Sequence, residues 1–247
     1  MGRPTRAAAP RDSGAPASVV RREQWNEHWA RRRRRDPHQK LGSFRYASSL
    51  DLWPRGARAV LDVAGGDGTF AFLARERFPA SRITVVDSAP AGCASALERG
   101  FAALVVSVDG ARLPFADASF DLVTSLSVLQ DVLQPWRLLD EMVRVSRRWL
   151  LISCPNFASL GNRADLLRGG VPRQMRHDSH VRFITYADVH RQLERRGVRT
   201  AGLRTRHKLP ILRSLPVLWA SKPALAHRLV PNLAAKFTIL GEKISSP

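Results

Sequence analysis

The densest set of chemistry-bearing residues is Asp62-Val63-Ala64-Gly65-Gly66-Asp67-Gly68, directly after the apolar run Ala59-Val60-Leu61. Glycines at a strand exit let the chain turn tightly with φ > 0 and bring its backbone against a bulky ligand. Asp87 follows about 20 residues later, at the end of Ile83-Thr84-Val85-Val86, where a carboxylate can accept from both hydroxyls of an adenosine ribose. Asp87-Ser88-Ala89-Pro90 is also a good helix start, and one side chain can serve both ends. Asp109 comes after a third run, Val106-Ser107-Val108. Its carboxylate is placed to accept from an adenine amine, or to form an ordinary Asp-Gly turn with Gly110. In Leu113-Pro114-Phe115, the Pro-Phe pair is expected to build an apolar wall. Phe120, heading Phe120-Asp121-Leu122-Val123, is expected to pack under the fourth strand.

Such residues need a frame that brings strand ends together. From about residue 57, short apolar runs alternate with helical stretches: Ala59–Val63, Thr69–Phe78, Ile83–Val86, Gly92–Arg99, Ala103–Val106, Leu122–Ser125, Trp136–Val145 and Trp149–Ser153. This alternation predicts βαβ units, hence an α/β, Rossmann-like doubly wound, mostly parallel sheet with helices on both faces. After Pro155 the pattern becomes irregular and Arg-rich, with one clear helix over Tyr186–Arg196 and a Pro-interrupted apolar stretch, Leu209–Ala220. The expected organisation is a disordered basic arm over 1–22, a domain over 23–200 with its ligand-binding core at about 50–160, and a basic C-terminal cap or extension over 201–247 packed on that domain.

Composition narrows the class. The formal charge is +19, carried by the two ends of the chain. Residues 1–40 hold 11 basic and 4 acidic groups, residues 41–159 hold 12 of each, and residues 160–247 hold 17 and 5. A neutral centre with basic flanks argues against a fold built throughout to grip a polyanion. It leaves the flanks free to meet an anionic substrate, nucleic acid or membrane surface. Only five of the 40 basic residues are lysine, so biased codon usage accounts for the charge equally well. Cys93 and Cys154 form no ligand pair and point to a reducing compartment. No run is long enough to span a membrane, and the arginine-containing start lacks the apolar stretch of a secretory signal. A cytoplasmic enzyme is the expectation.

Together, Leu61–Gly68, Asp87, Asp109 and the Leu-Pro-Phe…Phe-Asp-Leu-Val segment resemble class I S-adenosylmethionine-dependent methyltransferases over roughly residues 50–160. The resemblance implies S-adenosyl-L-methionine as cofactor and a binding set of Asp62, Ala64, Gly65, Gly66, Gly68, Asp87, Ser88, Asp109, Gly110 and Ser125. The superfamily's usual Asp-x-Gly-x-Gly-x-Gly has glycine where Ala64 stands. A nicotinamide dehydrogenase fits less well: Gly-Gly-Asp-Gly is not G-x-G-x-x-G, Asp62 lies within the strand end, and the Leu-Pro-Phe block has no role there. Further on, Ile152–Phe157, Asn162–Pro172 and His180–Val189 resemble the methionine-biosynthesis MetW family, with Asp131 where that family commonly has histidine. That likeness implies a partner or regulatory role with a homoserine acyltransferase.

Methyl transfer from a sulfonium is an in-line displacement, so the protein mainly aligns an acceptor and removes water. A general base is required only if the acceptor must lose a proton. The candidates are Asp131, Asn156 and His180, whose alternative roles are helix cap, turn former and surface residue. His177 and His180, three apart and without further ligands at suitable spacing, do not make a metal site, and none is expected. The expected substrate is a small or medium-sized, anionic molecule drawn to the Arg-rich last third. An RNA-modifying methyltransferase using Arg31–Arg35 on phosphates is a further alternative. Leu209–Val230 is read as a lid or cap over the substrate, with a membrane-surface segment as its rival.

Overall fold

In the computed structural model of the chain, the described residues are 17–31, 36–207 and 231–244, with side chains described from residue 22. Five strands, β1 (Ala59–Val63), β2 (Arg82–Asp87), β3 (Ala102–Val105), β4 (Phe120–Leu126) and β5 (Ser146–Pro155), run parallel. They are joined through α3 (Thr69–Arg77), α4 (Pro90–Glu98) and α5 (Pro135–Val145), as the alternating pattern predicted. Before them lie α1 (Ala17–Ala30) and α2 (Phe44–Asp51). After them come α6 (Leu160–Leu167), α7 (Tyr186–Glu194), β6 (Val198–Arg206) and β7 (Lys236–Lys243).

The sheet order is β3-β2-β1-β4-β5-β7-β6, with β7 antiparallel to both neighbours. The winding reverses between β1 and β4, so the crevice beyond their C-terminal ends is where this architecture holds ligands. Alternation along the strands gives each face its own core. Leu61, Val63 and Val123 face Leu139 and Met142 of α5, while Val60 and Leu122 face Tyr46, Phe70 and Leu73. The fold class read from the sequence is the one observed.

Both ends of the chain differ from expectation. The basic arm was expected to be disordered to residue 22, but α1 starts at Ala17 and packs on α4, with Asn26 Oδ1 accepting from Ala91 N at 2.7 Å. The C-terminal segment was expected to be a cap or extension, but residues 236–243 form an interior strand paired along its length with β5 and β6. Phe237 and Ile239 there are fully buried. Arg32–Arg35 and the Leu209–Ala220 stretch lie outside the described residues.

Candidate functional site

Asp62, the fourth residue of β1, is in register with Val85 of β2 and Thr124 of β4. Its Oδ1 accepts from Thr124 Oγ1 at 2.6 Å. Its Oδ2 is buried with no hydrogen-bond partner among the described residues. Burial raises this carboxyl to about 7, against the lowering effect of the Thr124 bond.

The chain then turns under glycine control. A Cβ at Gly65 would stand 2.5 Å from Asp62 Oδ2, so any side chain there would fill the space in front of that oxygen. Gly66, at φ +58°, donates to Asp87 Oδ2 at 2.9 Å and lies against the Trp29 indole of α1. Gly68, at φ +71°, caps α3 and backs onto Ala96 and Phe101, so it serves packing of the loop more than contact with a ligand. Ala64 adopts φ +55° on the cavity wall, a left-handed conformation that costs a non-glycine residue about 1–2 kcal/mol. Ala64→Gly is therefore expected to raise stability by up to about 1 kcal/mol after the larger chain entropy of unfolded glycine is counted, or roughly 2–4 °C in a thermal melt. A lower melting temperature would show that the Ala64 methyl contributes packing that outweighs the strain.

Asp87, 5% exposed, accepts from Gly66 N through Oδ2 and from Ala89 N at 2.8 Å through Oδ1. It thus ties the glycine loop to the start of α4 while lining the cavity. Burial raises its carboxyl to about 6, opposed by these backbone bonds. Asp109 also lines the cavity, but its oxygens take Leu133 N and Gln134 N, each at 2.9 Å, at the start of α5. The expected adenine contact thus falls on a carboxylate already holding a helix end. Gly110 turns at φ +79° under the Gln134 amide.

These groups border a cavity of about 1040 Å³ over the C-terminal ends of β1 and β4. Ser88 is on its wall. Ser125 is not: it is 1% exposed, and strand alternation turns Thr124, its neighbour, toward Asp62. Asp131 and His180 reach the cavity. Asn156 does not; it is fully buried and its amide is committed to backbone groups around Ala158, Tyr186 and residues 231–234.

His180 Nδ1 lies 3.0 Å from the Gln174 carbonyl, which only accepts, so Nδ1 carries the proton and neutral Nε2 keeps its lone pair. Its ring stacks on His177 with centroids 4.5 Å apart. Burial, the neighbouring His177 and Lys236 lower its pKa, opposed by the Gln174 bond. Among described residues no cluster of three or more potential metal ligands occurs.

Sequence reasoning missed three contributors to the wall. Arg45 of α2 donates to the Tyr46 hydroxyl at 3.0 Å and exerts a lowering pull on the Asp62 carboxyl. Trp25 and Trp29 of α1 close the other side. The aromatics within Gln24–Trp29 were the only signal for α1, and nothing local marks Arg45.

Residues 61–149 match the methyltransferase domain family. An uncharacterized methyltransferase of Mycolicibacterium vanbaalenii is 38% identical over 107 residues, covering 39% of this chain and 40% of that protein. A ubiquinone/menaquinone biosynthesis C-methyltransferase of Roseobacter denitrificans is 33% identical over 119 residues, covering 46% and 48%. The chain therefore spans less than half the length of these relatives. Magnesium protoporphyrin IX methyltransferase of Synechocystis, solved with S-adenosylhomocysteine, superposes with a TM-score of 0.62 at 13% identity, over 92% of this chain and 99% of that one. Residues 61–149 are thus similar to a methyltransferase domain, within a fold shared with a solved methyltransferase.

Proposed function

We propose that the chain is an S-adenosylmethionine-dependent methyltransferase acting on a small or medium-sized anionic acceptor. The observation that carries this reading is the buried, unpartnered Asp62 Oδ2 beside Gly65, with Arg45 as counter-charge on the same cavity. A zwitterionic amino acid fits that pair: Asp62 suits its ammonium and Arg45 its carboxylate. Gly65 keeps the space in front of Oδ2 open, Asp87 has lone pairs for a ribose, and Asp109 and Ser88 stand on the adjoining wall.

When bound, the cofactor supplies an electrophilic methyl group on sulfur. The protein's own work is to align the acceptor, exclude water and handle one proton. His180 Nε2 suits proton removal from an acceptor O–H or N–H, because its other nitrogen is fixed as the donor by Gln174. The cavity wall carries Lys40, Arg173 and Lys236 beside Asp131 and Asp165, and these three cations are the groups that would meet an anionic acceptor. Methyl-labelled cofactor incubated with a cell extract is expected to mark a discrete small product, identified by mass. His180→Asn should lose that product while retaining cofactor binding. The absence of any labelled product from the unmodified protein would remove the catalytic claim.

Acidity separates two effects. Both carboxyls have folded pKa values above their ordinary range, so each favours the folded apo protein at low pH, and that contribution is lost as pH rises through about 6 for Asp87 and about 7 for Asp62. Cofactor binding needs both ionised and should weaken as pH falls from above 7 to below 6. Apo melting temperature and cofactor affinity should therefore move in opposite directions across that window; parallel movement would contradict the assignment. The acyltransferase-partner and RNA readings rest on the sequence likeness and the basic flanks, with no contact in the described residues to favour them.

A further inference from the structure

Five of the ten large apolar side chains exposed among the described residues fall in one segment, residues 166–183. Leu166 and Leu167 end α6 at 52% and 89% exposure, followed by Val171, Met175 and Phe183. The segment is folded on itself. Gly169 N donates to Leu166 O and Gly170 N to Asp165 O, which turns the chain after α6. Phe183 packs at a tilt against Phe157 with ring centroids 4.7 Å apart. Along the chain these residues are interspersed with Arg163, Arg168, Arg173, Arg176 and Arg182, against Asp165 and Asp178; Arg163 is bonded to the Ala158 carbonyl and Arg182 to the Leu133 carbonyl. No ion pair is recorded for Arg163, Arg168, Arg173 or Arg176 among the described residues.

We infer that this arginine-rich segment, with its exposed apolar side chains, docks the protein on an anionic lipid membrane. Single surface leucines need no explanation, but five large apolar side chains exposed within 18 residues are uncommon unless the segment meets something. Leucine and phenylalanine set among guanidinium groups suit the boundary between acyl chains and anionic headgroups: the apolar tips enter and the arginines meet phosphate. The charge sign excludes a basic partner, and the described residues contain no helix long and apolar enough to span a membrane, so contact is from one face. The same segment supplies part of the cavity wall through Arg173, Gln174 and His177. Docking would therefore hold one wall of the cavity at the lipid surface. Resting on the methyltransferase reading above, this makes the acceptor an amphiphile with an anionic head that enters from the membrane.

The test is co-sedimentation of the full chain with vesicles of phosphatidylcholine plus phosphatidylglycerol, and with vesicles of phosphatidylcholine alone. Binding is expected to the anionic vesicles and to weaken with added salt. The double variant Leu166→Ser, Leu167→Ser should bind at least about tenfold more weakly, and Arg168→Gln or Arg176→Gln about fivefold more weakly each. These side chains are exposed, so the variants should keep the parent's melting temperature and its affinity for S-adenosylmethionine by calorimetry. Failure to sediment with anionic vesicles overturns the inference. So does sedimentation unchanged in all these variants, which would assign it to the basic flanks. RNA binding lost on the same substitutions, without vesicle binding, would overturn it in favour of a nucleic-acid surface. Loss of cofactor binding in the unmodified protein would sink the methyltransferase reading and leave the vesicle result standing.

Discussion

Asp87→Ala is expected to abolish measurable cofactor binding and to lower stability by about 2–5 kcal/mol, the cost of leaving two buried backbone donors unsatisfied. Those donors are Gly66 N and Ala89 N, bonded at 2.9 and 2.8 Å. Removing the carboxylate frees the glycine loop from α4 as well as deleting the proposed ribose contact. Asp87→Asn separates the two roles. Its carbonyl oxygen can hold one amide, while its NH2 opposes the other N–H, so part of the stability returns and cofactor affinity stays low. Calorimetry and thermal unfolding on both variants check this. Cofactor affinity unchanged in Asp87→Ala would remove Asp87 from the site.

The second large effect lies just behind the cavity wall, which Pro155, Leu233 and Ala235 line. Asn156→Ala is expected to cost about 3–5 kcal/mol, in the range for breaking a buried hydrogen-bond network. Its Nδ2 donates toward the carbonyls of Pro231, Asn232 and Ala234, the last at 2.8 Å. Its Oδ1 accepts from Ala158 N at 3.2 Å and Tyr186 N at 3.3 Å. One side chain thus joins the exit of β5, the start of α7 and the approach to β7. The variant should melt well below the parent while its cofactor affinity, measured at a temperature where it remains folded, stays near the parental value. A selective loss of affinity at unchanged stability would return Asn156 to the substrate site.

The contrast between Asp87 and Asn156 shows what the sequence could express. Local signals placed β1 to β5 and the loop, because parallel strands buried on both faces leave continuous apolar runs and glycine marks the turn between them. Asp87 was legible because its distance from the glycine turn is set by a single helix and strand. Asn156 fits its turn-forming alternative through Ala158 N two residues on, while the partners of its amide nitrogen lie 75 to 78 residues away in sequence and leave no local trace. Arg45 faces Asp62 only through tertiary packing of α2, so its role was invisible for the same reason. Strand β7 was missed because Lys236–Lys243 sits in an Arg-rich, Pro-interrupted context and follows residues with no regular period. Ser125, named through the resemblance, lies off the cavity wall, where period-two alternation places it opposite Thr124.

The central claim is that the crevice over β1 and β4 holds S-adenosylmethionine through Asp62. Calorimetric titration of that cofactor into the full chain, alongside Asp62→Ala, tests it directly. One-to-one binding by the parent, weaker below pH 6, is expected, with no detectable binding by the variant. Absence of binding to the parent at millimolar cofactor, or equal binding by both proteins, would contradict it.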